Sequence, residues 1–318
     1  MEHYLHLMKV SLIMLYEHPI FGIFYSIASA MFSLTAIFGN VIVIYAFWIA
    51  SSISRSSRLL LLSLAGSDLG VGLLVQPLNA AMMAKMLGIV VRRDGNAVDE
   101  QDMTSLYPLV KTSQFFSILF GGASLLTVGA IAIDRYLALS LHLRYAELVT
   151  PARVRFAISG IWITSFLAAL QQTLTDFNQM IQVFGVLFVI LIASFAYFKI
   201  FRILSHHQNL ICVQVGQQNQ ICQLTHFGRA KKLAIKTLYI YVILIVCYAP
   251  SLFIFPVFIK SKNPSALLTL FYYVGAFLVL FNSCLNPLVY CWKLCEVRET
   301  VVDVLKRMFS RWIPLCHQ

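Results

Sequence analysis

Residues 105–144 read SLYPLVKTSQFFSILFGGASLLTVGAIAIDRYLALSLHLR. From Phe115 to Ile133 the stretch runs 19 residues without a charged side chain. At a rise of about 1.5 Å per residue, that is enough helix to cross the hydrocarbon of a bilayer. Asp134, Arg135 and Tyr136 follow at once. A charged pair at the end of an apolar helix reaches the headgroup layer and stays out of hydrocarbon.

Composition agrees with a membrane chain. Of 318 residues, 59% are hydrophobic and 12% charged, against about 25% charged in an ordinary soluble domain. Six further apolar stretches accompany the first, at about 21–49, 58–87, 152–172, 180–204, 229–259 and 265–290. The fold class expected is therefore an all-α membrane protein, a bundle of seven transmembrane helices. The net charge of +11 leaves no soluble basic domain once the spans are marked, so nucleic acid is not an expected partner.

Two polar residues stand deep inside spans. Asn40 sits in Gly39-Asn40-Val41-Ile42-Val43, where an amide must bond within the bundle. Asp68 is the only acid deep in any predicted span. An aspartate at a helix centre is unfavourable by roughly 2.5–3.5 kcal/mol on insertion scales, so it faces the interior and marks function.

These residues, taken with the ends of the other spans, carry a resemblance. Gly39-Asn40-x-x-Val43, Leu64-Ala65-x-x-Asp68, Asp134-Arg135-Tyr136, Trp162, Tyr197, Cys247-Tyr248-Ala249-Pro250 and Asn286-Pro287-x-x-Tyr290 resemble the helix signatures of the rhodopsin-like (class A) G-protein-coupled receptors. The resemblance implies a receptor that passes an extracellular signal to a heterotrimeric G protein. It makes Asp134, Arg135, Tyr136, Tyr197, Tyr248, Pro250, Asn286, Pro287 and Tyr290 the coupling and activation switch. Two departures stand out: Tyr248 replaces the usual tryptophan, and the fifth span has no proline. The chain also resembles, more loosely, the melanocortin, cannabinoid and lysophospholipid receptor group. It shares with that group a short connection before the fifth span and the absence of an outer disulfide.

Charge sets the expected topology. Seventeen of the 24 Lys and Arg fall on one side or at the span ends facing it, which the positive-inside rule makes cytoplasmic. Residues 1–20 are then an extracellular tail, 21–290 the receptor domain, and 291–318 a cytoplasmic tail in a plasma-membrane protein. The repeat of Leu294, Val297, Val301, Leu305 and Met308 among basic residues predicts an amphipathic helix lying against membrane lipids. All seven cysteines lie in the last two spans or on the cytoplasmic side, where thiols stay reduced. Cys316 is the best lipidation candidate. The polar stretch 88–104 is the longest loop on the outer side, and it serves equally well as a lid or as a plain connection.

The family pocket opens outward between helices 3, 5, 6 and 7. The matching wall residues are Gln114, Ser117, Ile118, Ser251, Leu252, Phe255, Tyr272, Tyr273 and Ala276, each of which packing alone would also explain. The outer half of helix 3 has no acid to meet an amine, and helix 7 has no lysine for a Schiff base. The ligand expected is lipid-like or neutral, with a peptide as the alternative. No catalytic residues are expected. A transporter is disfavoured because no internal repeat occurs. Aligned with the family, Asp68, Ser124, Asn282 and Asn286 form a sodium site, the one ion expected as a cofactor. Helix 6 carries Ala230 where many members have an acid, so Arg135 has only Asp134 nearby, and ligand-independent activity is expected.

Overall fold

The computed structural model describes residues 2–49, 53–93, 99–141, 144–175, 180–211, 221–293, 298–299 and 302–303. Every described element is helical: α1 (Glu2–Glu17), α2 (Pro19–Ile49), α3 (Arg55–Gly70), a π turn (Val71–Val75), α4 (Gln76–Arg93), α5 (Glu100–Ser140), α6 (Tyr145–Leu148), α7 (Pro151–Leu174), α8 (Met180–Ile211), α9 (Ile221–Lys260) and α10 (Ala266–Lys293). Seven of the resulting rods are long and apolar enough to cross a membrane, with α3, the π turn and α4 forming one of them. Helices are the required form, because each satisfies its backbone donors and acceptors internally where no water is at hand.

Local sequence explains where the rods begin and bend. Thr150 caps α7 by accepting from the Arg153 amide at 3.4 Å, and Pro151 occupies the first turn, where its missing N–H leaves nothing unpaired. Pro250 and Pro256 interrupt the ladder of α9, and Pro287 that of α10. Gly39 lets α2 approach α10 closely. A Cβ there would stand 2.9 Å from the ring of Pro287. Beside it, Asn40 Nδ2 donates to the carbonyls of Ala36 at 2.9 Å and Ser283 at 3.2 Å, meeting the need of an amide in mid-span.

Two apolar cores hold the bundle. One, around Phe47, Leu64, Leu139, Leu244 and Tyr290, fills the end that carries Arg135. The other, around Tyr4, Met8, Leu15, Met83, Leu106 and Tyr273, fills the opposite end.

The second core corrects the expectation of an N-terminal tail. Residues 2–17 form a helix docked on the bundle, with Tyr4, Met8, Ser11, Met14 and Leu15 all buried. Tyr4, Met8, Ser11 and Leu15 recur at helical spacing, and that stripe gives α1 its inward face. The 88–104 loop is corrected too. Helix continues to Arg93 and resumes at Glu100, and Arg92 and Arg93 pair with Asp102 while Arg93 also pairs with Asp99. These ion pairs tie the end of α4 to the start of α5, and residues 94–98 between them lie outside the described residues. The surface helix expected beyond residue 293, with Cys316, lies almost wholly outside the described residues.

Candidate functional site

Three features follow one another along the bundle, two polar clusters and a cavity. At one end, Arg135 and Asp134 are both buried and form an ion pair. Arg135 also donates to Ser57 Oγ. Ser57 Oγ in turn donates to Asp134 Oδ2 at 3.2 Å, and Tyr145 on α6 donates to Asp134 Oδ1 at 2.6 Å. Burial, then the Asp134 carboxylate, push the Tyr145 phenol up to about 12. Tyr145 therefore stays a proton donor at neutral pH. Three helices thus hold one carboxylate, while the pairing expected from sequence had Asp134 alone. Ala230 is helical in α9, and its side chain lies outside what is described. Tyr136 packs against the core of this end. Tyr197 stacks on Tyr241 with centroids 4.9 Å apart, and Tyr290 meets Phe47 edge-on at 5.2 Å.

Midway along, Asp68 is fully buried. It accepts from Ser124 at 3.3 Å, Ser283 at 2.8 Å and Asn286 Nδ2 at 2.7 Å. Asn282 and Asn286 each present a buried Oδ1 that receives no hydrogen bond among the described residues. A carboxylate, hydroxyls and unpaired amide oxygens are the hard donors that a sodium ion takes. The donor set therefore fits the ion that the resemblance implies. Ser283 was missed in the sequence reading. It lies three residues before Asn286 and so on the same face of α10, a spacing that was there to be read.

The third feature is a cavity of about 580 Å³. All nine wall residues expected from sequence line it: Gln114, Ser117, Ile118, Ser251, Leu252, Phe255, Tyr272, Tyr273 and Ala276. Tyr248 lies in its wall, and Ser124 and Ser283 join it to the Asp68 network. Among the described residues the lining contains no Asp, Glu, Lys, Arg or His. Sequence reasoning set α8, the fifth span, at the pocket without naming a residue on it, and missed the α7 side; Thr164, Gln171, Ile181 and Phe188 line that flank, and Leu7 of α1 also went unread.

Comparison with known proteins bears on the family and the fold. A model described as 7 transmembrane receptor (rhodopsin family) matches residues 39–290. The adenosine receptor A3 of Ovis aries is 27% identical over 309 residues, 89% of each chain. The adenosine receptor A2a of Equus caballus is 26% identical over 324 residues, 90% of this chain and 73% of the relative. The crystal structure of squid rhodopsin superposes with a TM-score of 0.70 at 18% identity, covering 92% of this chain and 86% of that one. At that identity the likeness shows the fold. The likeness to the melanocortin, cannabinoid and lysophospholipid group rests on sequence features alone.

Proposed function

The chain belongs to the rhodopsin family of seven-transmembrane receptors, a multi-pass plasma-membrane signalling protein and not an enzyme, and from that premise we propose that it converts binding of a neutral extracellular ligand into nucleotide exchange on a heterotrimeric G protein. One observation carries the ligand class: among the described residues the cavity lining has no Asp, Glu, Lys, Arg or His. A charged ligand would lose its water there and find no counter-ion, a penalty of several kcal/mol by order of magnitude. A neutral ligand meets no such penalty, and the mostly apolar wall with a few hydroxyls and amides suits one of lipid-like character.

A second reading comes from the relatives. Their names give adenosine, which carries no charge at neutral pH and satisfies the same condition. A peptide is the third arm of the test.

In this reading the basic end is cytoplasmic and α1 is extracellular. Arg135, Asp134 and Tyr136, with Tyr197, Asn286, Pro287 and Tyr290, make the coupling switch. Tyr248 and Pro250 link the cavity to the kinked part of α9. Sodium among Asp68, Ser124, Asn282 and Asn286, with Ser283, favours the resting packing by binding it better.

The test is nucleotide exchange on a panel of G proteins, driven by libraries of neutral lipids, nucleosides and peptides. An uncharged agonist whose potency falls on Ser251→Ala or Gln114→Ala supports the reading. An agonist that must be ionised to act would contradict it.

A further inference from the structure

One wall of the cavity carries glycine where a side chain would fit. Gly121 and Gly122 of α5 both line it. They lie one turn before Ser124, whose bond to Asp68 marks the inner end of the cavity. The helix α5 packs against α3, α4, α7, α8 and α9, so the space beside Gly121 is inside the bundle. A Cβ added at Gly121 would meet nothing within 4 Å. Alanine in place of glycine would also strengthen the interior of a helix. Neither packing nor helix stability accounts for glycine at this position. The room beside it is free for an occupant of the cavity.

Next to that room stands a hydroxyl with nothing to hold. Ser165 of α7 faces Gly122, where an added Cβ would stand 3.3 Å from the serine Oγ. Ser165 is 2% exposed and lines the cavity, and its Oγ has no hydrogen-bond partner among the described residues. Nearby hydroxyls are engaged. Thr164 donates to the Gly160 carbonyl at 2.8 Å, Ser117 to that of Ser113 at 2.7 Å, and Ser124 to Asp68 at 3.3 Å. A buried O–H without an acceptor is unfavourable, and a ligand can bring the acceptor that the protein does not supply.

We propose that the inner part of the cavity, bounded by Gly121, Gly122, Leu125, Ser165 and Ala168, receives a planar ring of the ligand whose edge carries a hydrogen-bond acceptor for Ser165. The proposal rests on the neutral-ligand reading above and adds to it the chemistry of the buried end. Gly121 and Gly122 leave bare peptide surface on α5, against which the face of a flat ring packs closely. Leu125 and Ala168 supply apolar contact on either side. A straight hydrocarbon chain has no acceptor and would leave the Ser165 hydroxyl unpaired.

The test uses a matched pair of probes, a fluoroquinoline and the corresponding fluoronaphthalene, both uncharged at neutral pH. They share one shape, and only the first has a ring acceptor. Binding to the full-length chain in lipid nanodiscs is read by fluorine NMR line broadening, with empty nanodiscs subtracted to remove partition into lipid. The quinoline is expected to bind about fivefold tighter, the worth of one hydrogen bond. Ser165→Ala should erase that preference by weakening the quinoline and leaving the naphthalene unchanged. Gly121→Val and Gly121→Leu fill the space stepwise and should weaken both probes, about threefold and about tenfold. The valine variant carries the test if leucine prevents folding. Equal affinities in the unmodified chain, or a preference that survives Ser165→Ala, would overturn the acceptor. Binding indifferent to both substitutions at Gly121, or a straight-chain fluoroalkane that binds tighter than either ring, would overturn the ring site. A charged agonist found in the exchange panel would instead sink the neutral-ligand reading. A neutral agonist whose potency ignores Ser165→Ala and Gly121→Leu would sink the present proposal alone.

Discussion

The phenol of Tyr145 donates a 2.6 Å hydrogen bond to Asp134 Oδ1, the carboxylate whose other oxygen is paired with Arg135. Asp134 is thereby shared between the helix that carries it and the short helix α6 beyond it. A hydrogen bond to a charged group contributes about 1.5–3 kcal/mol.

Tyr145→Phe therefore loosens the pair without removing it. If the pair holds the resting state, ligand-independent nucleotide exchange should rise roughly three- to tenfold, less than the full bond because Ser57 still holds the carboxylate. An unchanged basal rate in the variant would mean the bond bears no part of the resting equilibrium. The phenol is pushed up to about 12 from an ordinary value near 10. Its bond is thus fully present below about pH 10 and weakens as pH rises toward 12. Between pH 6 and 9 the difference between wild type and Tyr145→Phe should stay constant.

Asp68 accepts from Ser124, Ser283 and Asn286 while two neighbouring amide oxygens go without donors. Replacing choline with sodium should lower basal exchange and raise the melting temperature of the purified receptor. Asp68→Asn should abolish both responses, since the ion loses its only charged ligand. Sodium dependence that survives the substitution would place the ion elsewhere.

Gly39 offers a check on packing alone. A Cβ added there stands 2.9 Å from the Pro287 ring, which cannot turn aside as a flexible chain would. Gly39→Ala should destabilise the receptor by about 1–3 kcal/mol, seen as a lower melting temperature. A gain in stability from the added methyl would show that α2 and α10 have room to spare.

How much of this was legible in the sequence depended on which residues carry a pattern. The spans, Asp68 and the Asp134–Arg135 pair announce themselves, because charge inside an apolar run has few physical explanations. The nine cavity residues on α5, α9 and α10 followed from matching motifs at fixed spacing. The residues of the α7 and α8 flank did not, because Thr164, Ile181, Gly185 and Phe188 look like any lipid-facing residues and only their placement puts them in the cavity wall. The docking of α1 was readable in the stripe Tyr4, Met8, Ser11 and Leu15, but a run too short to span a membrane invites the reading of a tail. The pinned connection of Arg92 and Arg93 with Asp99 and Asp102 was hidden by its polar composition, which reads as loop until the two helices extend to meet it.

Thiol chemistry gives a further expectation. Cys247, Cys284 and Cys291 are free, and no cysteine lies on the side proposed as extracellular. Dithiothreitol at low millimolar concentration should leave the melting temperature of the receptor unchanged. A fall of several degrees would reveal a bridge between thiols of the last two spans and the cytoplasmic segments.

The central claim is a receptor whose resting state is held by the Arg135–Asp134 latch, with no acid on α9 to strengthen it. Its most direct test is guanine-nucleotide exchange by the unliganded receptor in nanodiscs across all G-protein classes. The account predicts exchange above the receptor-free rate for at least one class. Ala230→Glu should lower it by adding a carboxylate for Arg135, and Arg135→Ala should eliminate it while the protein still folds. Silence of the unliganded receptor with every class, together with no effect of Ala230→Glu, would contradict it.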